Sequence, residues 1–321
     1  MTEVAPGVHR LEFAIGTKPM AIYLLEGDRV TLIDTGLPDT PETIYLPALE
    51  MLGRSPEAVA LVVITHADAD HIGGNAAVRR LFPNALLACH PLDKRWASDP
   101  AVITEERYDG FLEFGLRYDP DVFAVLGSWM GPAEPMDLLL PAGSRIRIGN
   151  DDWLAVHHVP GHTPGHILLH NPVHRYALIG DAIFGQSQLD IDGGKAAAPP
   201  YTDVTAYRNS IQTIRRLDVD LLLTCHYPIM RGQAVKRFVD DSLAWSERAE
   251  QAVRDLLTSS DEPITVGDTI DNLDPVLGPF VTPRELQWAL LAHLDYAVTQ
   301  GEAQRTTIDE IVAWERVGIG Q

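Results

Sequence analysis

Cysteine is nearly absent from this chain: two residues in 321, Cys89 and Cys225, with no Cys-x-x-Cys spacing. That excludes a disulfide scaffold and a cysteine zinc cage. Long apolar runs are missing too, and none approaches the ~18 consecutive residues that span a bilayer. Basic residues are scarce, 25 Lys and Arg against 45 Asp and Glu, for a formal net charge of −20 at pH 7. A nucleic acid or an anionic membrane would bind against that field, so neither is expected as a partner. Residues 1–7 lack the basic and apolar regions of a secretory leader, and the expectation is a cytoplasmic protein. No Gly-x-Ser-x-Gly elbow offers a serine nucleophile. What remains is an ordinary globular composition, 45% apolar, with 12 histidines.

The first third alternates between short apolar runs and turns. Residues 21–25 and 30–33 read as a hairpin, and Asp34-Thr35-Gly36 closes the second strand. Pro41 sits just inside a helix start, and Gly53 stops that helix near Leu52. Residues 60–64 form a continuous apolar strand, buried on both faces by its pattern. Residues 90–140 interleave aromatics, from Trp96 to Trp129, with acidic residues, Pro and Gly, which marks a helical insertion. Short strands return at 145–148, 154–158, 167–169 and 176–179. A helix near 204–217 then leads to a last apolar strand, 219–224. From about residue 240 helical patterns take over, at 239–257 and 284–299, with a short terminal strand at 311–314. The expectation is one α/β domain over 1–240 and a small, mainly helical domain over 241–321.

Directly after the strand at 60–64 stand His66, Asp68, Asp70 and His71. In an extended segment His66, Asp68 and Asp70 would point one way and His71 the other, which suits two adjacent ions better than one. Two imidazoles and two carboxylates in so short a span are an excess of polarity next to a core unless a cation neutralises it.

Thr65-His-x-Asp-x-Asp-His71-Ile-Gly-Gly74 resembles the signature of the metallo-β-lactamase-fold hydrolases, whose usual form is His-x-His-x-Asp-His. Asp34-Thr-Gly36, Pro160-Gly-His162-Thr-Pro-Gly-His166, Gly180-Asp181 and His226 follow in the order of that family's other landmarks. The resemblance implies an αββα sandwich with the insertion as a lid and a C-terminal domain similar to small winged-helix appendages. It implies one divalent ion at His66, Asp68 and His162, a second at Asp70, His71 and His226, and Asp181 bridging them. Asp34 and His166 are expected to brace the site from behind. Asp68 stands where the family has histidine. As a harder ligand it moves the preference from zinc, the first expectation, towards iron or manganese.

The chemistry so implied is a metal-dependent hydrolase that uses a metal-bound hydroxide, with Asp70 and Asp181 orienting the nucleophile and Tyr227 donating to an oxyanion. The expected substrate is a small, apolar ester, lactone or thioester, because the aromatics of 90–140 can line a lid. A glyoxalase II-like glutathione thioester hydrolase and an iron-dependent sulfur dioxygenase are the enzymatic alternatives. A non-catalytic metal-binding or regulatory protein is the alternative from a different class. The C-terminal domain, with only Arg284, Arg305 and Arg316 as basic residues after 280, is expected to serve packing or homodimer formation rather than DNA reading.

Overall fold

A computed structural model describes residues 1–149 and 152–317. The first sheet holds β1 (Thr2–Ala5), β2 (Val8–Ile15), β3 (Lys18–Leu25), β4 (Val30–Ile33), β5 (Val59–Val63), β6 (Leu86–Cys89) and β7 (Leu138–Leu139), in that spatial order. Strands β1 to β4 pair antiparallel, and β4 to β7 parallel. The second sheet starts with β8 (Arg145–Arg147), β9 (Trp153–His158), β10 (Ile167–Asn171) and β11 (Tyr176–Gly180). A ribbon of β12 (Gln188–Leu189) and β13 (Lys195–Ala197) intervenes before β14 (Leu221–Thr224) and β15 (Met230–Arg231) complete that sheet. Its β11 and β14 are parallel, and the helix Val204–Arg216 lies between them in the chain.

The apolar runs are continuous because alternate side chains enter different cores. Tyr23, Leu25 and Val63 of the first sheet meet Val156, Leu178 and Leu223 of the second. Their neighbours Ile22, Leu24, Val62, Ile179 and Leu222 point outward beneath the helices. Each strand thus has two apolar faces, as a two-sheet sandwich with helices on both outer sides requires. Burial of a single Leu or Val contributes roughly 1.5–3 kcal/mol, so these runs dominate the choice of strand over loop. Cys89 and Cys225 are both buried and unbridged.

Strand β14 begins two residues later than its pattern suggests. Asp218 and Asp220 are both held by Arg175 across the turn, at 2.6 and 2.7 Å, which keeps 218–220 out of the ladder. The alternating segment 8–15, not singled out by pattern, forms the long strand β2. The insertion is helical as expected, with Lys94–Ser98, Pro100–Ile103, Thr104–Tyr108 and Pro120–Ser128, and it returns to the first sheet as β7.

The expected domain limit near 240 falls inside one helix, Gln233–Ser259, whose Trp245 is fully buried. Beyond it come β16 (Ile264–Thr265), the helices Val266–Leu277 and Leu286–Thr299, and the hairpin of β17 (Ala303–Ile308) and β18 (Ile311–Arg316). The first of those two helices was not expected; it starts on a reciprocal Thr265–Asp268 cap. Phe111 and Phe114 of the insertion pack on Trp288 and Trp314 of this region, with ring centroids 4.5 and 5.8 Å apart. Among the described residues no helix is long and apolar enough to cross a membrane.

Candidate metal centre

Strand ends from both sheets converge on one edge of the sandwich. Asp34 follows β4, His66 follows β5, His162 and His166 precede β10, Asp181 follows β11 and His226 follows β14. The sheets are tied there by backbone hydrogen bonds, Ile167 N–H to Thr65 O at 2.9 Å and Ala21 N–H to Cys225 O at 2.7 Å. Gly180 adopts φ +50°, and a Cβ on it would lie 2.7 Å from Thr65 Oγ1, so only glycine lets the chain turn Asp181 into the cluster.

The segment after β5 does not stay extended. Asp68 keeps extended backbone and caps a single helical turn, Ala69–Ile72, accepting from Ala69 N–H at 3.0 Å. The turn carries Asp70 round to the side of His71, so the common direction expected of His66, Asp68 and Asp70 in an extended segment is not found, and Asp70 joins His71 and His226 as the resemblance implies. Capping is the reason: an Asp at this position satisfies an amide that an extended chain would leave open. The resulting sets are His66, Asp68 and His162; Asp70, His71 and His226; and His66, His71 and Asp181, each within 4.8 Å. Asp68 Oδ2 lies 3.2 Å from His162 Nε2, and Asp181 Oδ2 lies 3.1 Å from His226 Nε2 and 3.7 Å from His71 Nε2. All seven ligand positions implied by the sequence motif are therefore brought together.

The hydrogen bonds fix which ring nitrogen of each imidazole faces inward. His71 Nδ1 donates to Asp34 Oδ2 at 2.9 Å, His226 Nδ1 to Pro19 O at 2.7 Å, and His162 Nδ1 to Pro200 O at 2.5 Å. The Thr65 hydroxyl gives its single proton to Asp34, so it accepts from His66 Nδ1 at 3.0 Å. Asp34 thereby sets two of the four rings, one directly and one through Thr65. All four Nε2 atoms are left to face the cluster, and those of His66, His71 and His162 are buried with no hydrogen-bond partner. His166 serves differently: its Nε2 accepts from Asp181 N–H at 3.1 Å, and its ring stacks on His66.

Electrostatics point the same way. Burial would raise Asp181, but the imidazoles of His226 and His71 hold its carboxyl well below the usual range. Burial would lower His71, yet Asp70 and Asp34 lift it well above its ordinary value. His226 is pushed up to about 10, chiefly by Asp181 against burial. Convergent lone pairs and carboxylates, buried except at the partly exposed Asp68 and Asp70, form a donor set that fits divalent cations, whose uptake would release the protons on these rings.

Other expected residues land elsewhere. Tyr227 is buried, and its hydroxyl donates to the carbonyls of Phe184 and Ser187, so it packs rather than faces the cluster. The tyrosine at the site is Tyr108 from the insertion, which accepts from Ala69 N–H at 2.9 Å and donates to Asp68 Oδ1. Asp93 was also missed. Its fully buried carboxylate accepts from Ala67 N–H at 2.9 Å, Thr163 Oγ1 at 2.6 Å and Gly165 N–H at 2.5 Å, fastening the two histidine loops together. A lone Asp after a strand gives no signal; the Gly at 165, where a Cβ would sit 2.7 Å from that carboxylate, is the trace it leaves.

Asp68, Asp70, His162, Asp181 and His226 line the floor of a cavity of about 230 Å³. Val122, Val125, Leu126 and Trp129 of the insertion make one wall, and Trp288 of the C-terminal region closes it. The helix Pro120–Ser128 has no buried residue despite its apolar face. The expectation that aromatics of the insertion line the site holds for only some of them. Tyr118 and Trp129 line the cavity, whereas Phe111 and Phe114 pack on the C-terminal region.

A two-sheet sandwich with covering helices and a His/Asp cluster at its strand ends defines a class of metal-binding α/β proteins. Residues 17–226 match the metallo-beta-lactamase superfamily, and the chain belongs to it. It is similar to the Gallus gallus acyl-coenzyme A thioesterase MBLAC2, 29% identical over 238 residues, covering 70% of this chain and 78% of that protein. It is also similar to the probable metallo-hydrolase YflN of Bacillus subtilis (strain 168), 26% identical over 249 residues, 72% of this chain and 88% of the other. The crystal structure of a metallo-beta-lactamase family protein from Thermus thermophilus superposes with a TM-score of 0.76 at 22% identity. That match covers 98% of this chain and 100% of the other, so the shared fold includes the C-terminal region.

Proposed function

We propose that this protein is a dinuclear metal-dependent hydrolase of a small thioester or ester with an apolar acyl group. The observation that carries the reading is the set of buried, unpartnered imidazole Nε2 atoms facing carboxylates at the floor of an apolar-walled cavity. His66, Asp68 and His162 would hold one cation, Asp70, His71 and His226 the other, and Asp181 would reach both. Divalent cations bound there would supply Lewis acidity and bring the pKa of a bound water down to about 7.

The chain's own groups do the rest. Asp70 lines the cavity, and its Oδ2 lies 3.4 Å from His226 Nε2, where it can take a proton from attacking water and return it to the leaving group. Asp34 keeps His66 and His71 in the tautomer that presents Nε2. Val122, Val125 and Trp129 hold the acyl group and exclude bulk water from the carbonyl. On another part of the wall, Lys18 donates to Gln188 at 2.9 Å, a polar pair suited to the alcohol or thiol portion. The thioester preference draws support from the similarity to an acyl-coenzyme A thioesterase.

The test is a substrate panel on metal-reconstituted protein: acyl thioesters, acyl esters and lactones of graded chain length. Turnover that rises with acyl apolarity and disappears on chelation is expected. Absence of hydrolysis across the whole panel with metal bound would overturn the reading.

A further inference from the structure

Arg107 is the one Lys or Arg, among the described residues, within salt-bridge distance of a carboxylate of the metal set. Its side chain is only 3% exposed. Nη2 donates to Asp68 Oδ2 at 2.8 Å and Nη1 to the His162 carbonyl at 3.2 Å. The guanidinium carbon lies 4.7 Å from the Trp288 ring centroid. Three segments therefore hold the cation in place: the turn at 68, the loop at 162 and the C-terminal region. The oxygen it holds is the one that faces His162 Nε2, so one carboxylate oxygen serves both a fixed positive charge and the cation position.

The other half of the centre has no such counter-charge. Asp70 and Asp181 face His71 and His226 at 3.1–3.8 Å, with no Lys or Arg in salt-bridge reach among the described residues. With Asp181 within reach of both positions, Asp70 stands open on that side, whereas Asp68 on the other is already matched by a guanidinium.

We infer that Arg107 makes the two cation positions unequal. The position at Asp70, His71 and His226 fills first, and the position at His66, Asp68 and His162 fills at higher concentration because Arg107 has already neutralised Asp68. This inference rests on the metal-dependent reading above. A fixed unit charge a few ångströms from a partly buried site changes cation affinity by roughly 10- to 100-fold.

The experiment is a calorimetric titration of chelator-stripped, full-length protein with Mn²⁺ and with Zn²⁺, with elemental analysis at each plateau. Two steps separated by roughly 10-fold or more are expected in the unaltered protein. Arg107→Met should strengthen the weaker step by about 10-fold or more and leave the stronger one in place. Arg107→Lys keeps the charge and should keep the separation, an outcome that shape alone does not predict. Asp68→Asn should leave a single step with one ion per chain. Two ions bound with one affinity, or a weaker step unmoved by Arg107→Met, would overturn the inference while leaving the metal reading intact. Protein that takes up no ion would remove both. If Arg107→Met does not fold, Asp68→Asn decides: two retained steps would refute the role given to Asp68 and its partner.

Discussion

Asp34 and His66 never touch, yet the Thr65 hydroxyl links them, donating to Asp34 Oδ2 at 2.9 Å while accepting from His66 Nδ1 at 3.0 Å. One buried carboxylate thus sets the tautomer of His66 and, directly, of His71. We predict that Asp34→Asn, which offers an N–H where His71 now finds an acceptor, turns the His71 proton to Nε2. Metal affinity should fall by about 10–100-fold, with a change in folding stability much smaller than a backbone lesion would cause. Metal-binding isotherms beside urea unfolding would check this; unchanged affinity would show that the tautomer is set elsewhere.

His162→Ala and Asp181→Ala should each abolish turnover and lower metal content. Each removes a group that lies within 4.8 Å of two other donors. Elemental analysis and activity on the same preparations measure both, and full activity in either variant would refute the assigned roles.

Asp93 joins the two histidine loops without belonging to either. Asp93→Ala leaves the Ala67 and Gly165 amides without their acceptor in a buried site, at a cost of about 1–3 kcal/mol each. A total loss of about 2–5 kcal/mol is expected by urea unfolding of the metal-free protein, where ligand chemistry plays no part. A loss under about 1 kcal/mol would mean that water replaces the carboxylate.

Val122 and Val125 stand 47% and 49% exposed, so polar replacements there should leave stability within about 0.5 kcal/mol. Val122→Asp together with Val125→Asp should nevertheless lower kcat/KM for long apolar acyl substrates by about 10-fold, and less for acetyl substrates. Equal loss across chain lengths would argue against an acyl-binding wall.

His293, buried against the Tyr201 hydroxyl at 2.7 Å, has its pKa lowered to about 3, chiefly by burial. Its unfolded value is ~6.5, so between those limits the unfolded chain binds the proton and the folded chain does not. The stability contributed by neutral His293 is present above pH ~6.5 and is lost as pH falls towards about 3, by up to ~1.4 kcal/mol per pH unit. His293→Gln, which keeps an acceptor for Tyr201, should flatten that part of the acid limb in urea unfolding between pH 7 and 4. An unaltered slope would assign acid lability to other groups.

The strands were legible because their apolar residues repeat on both faces, as Tyr23/Leu25 and Ile22/Leu24 do in β3. The candidate ligands at 66–71 were legible because His and Asp are conspicuous directly after an apolar run, and His162, Asp181 and His226 through the resemblance of their motifs to a known family. Tyr108, Asp93 and Trp288 were not, because each reaches the site from an element whose local pattern describes only its own helix or loop. The same limit applied to Tyr227: adjacency to His226 along the chain says nothing about direction, and its hydroxyl is satisfied by two carbonyls instead.

The linear order of residues by itself determined the two-sheet core, the positions of the candidate metal ligands and the presence of a helical insertion. The strands and the insertion follow from periodicity and composition within a few positions; the sandwich and the distant candidate ligands follow from the resemblance of the motifs to a known family. Only the tertiary structure decided which ring nitrogen each histidine presents, that Arg107 stands against Asp68, and that the C-terminal region closes the cavity. Those depend on contacts between segments far apart in the chain, such as Arg107 with His162, 55 positions away, and His226 with Pro19, 207 positions away, and no local pattern carries a distance of that kind.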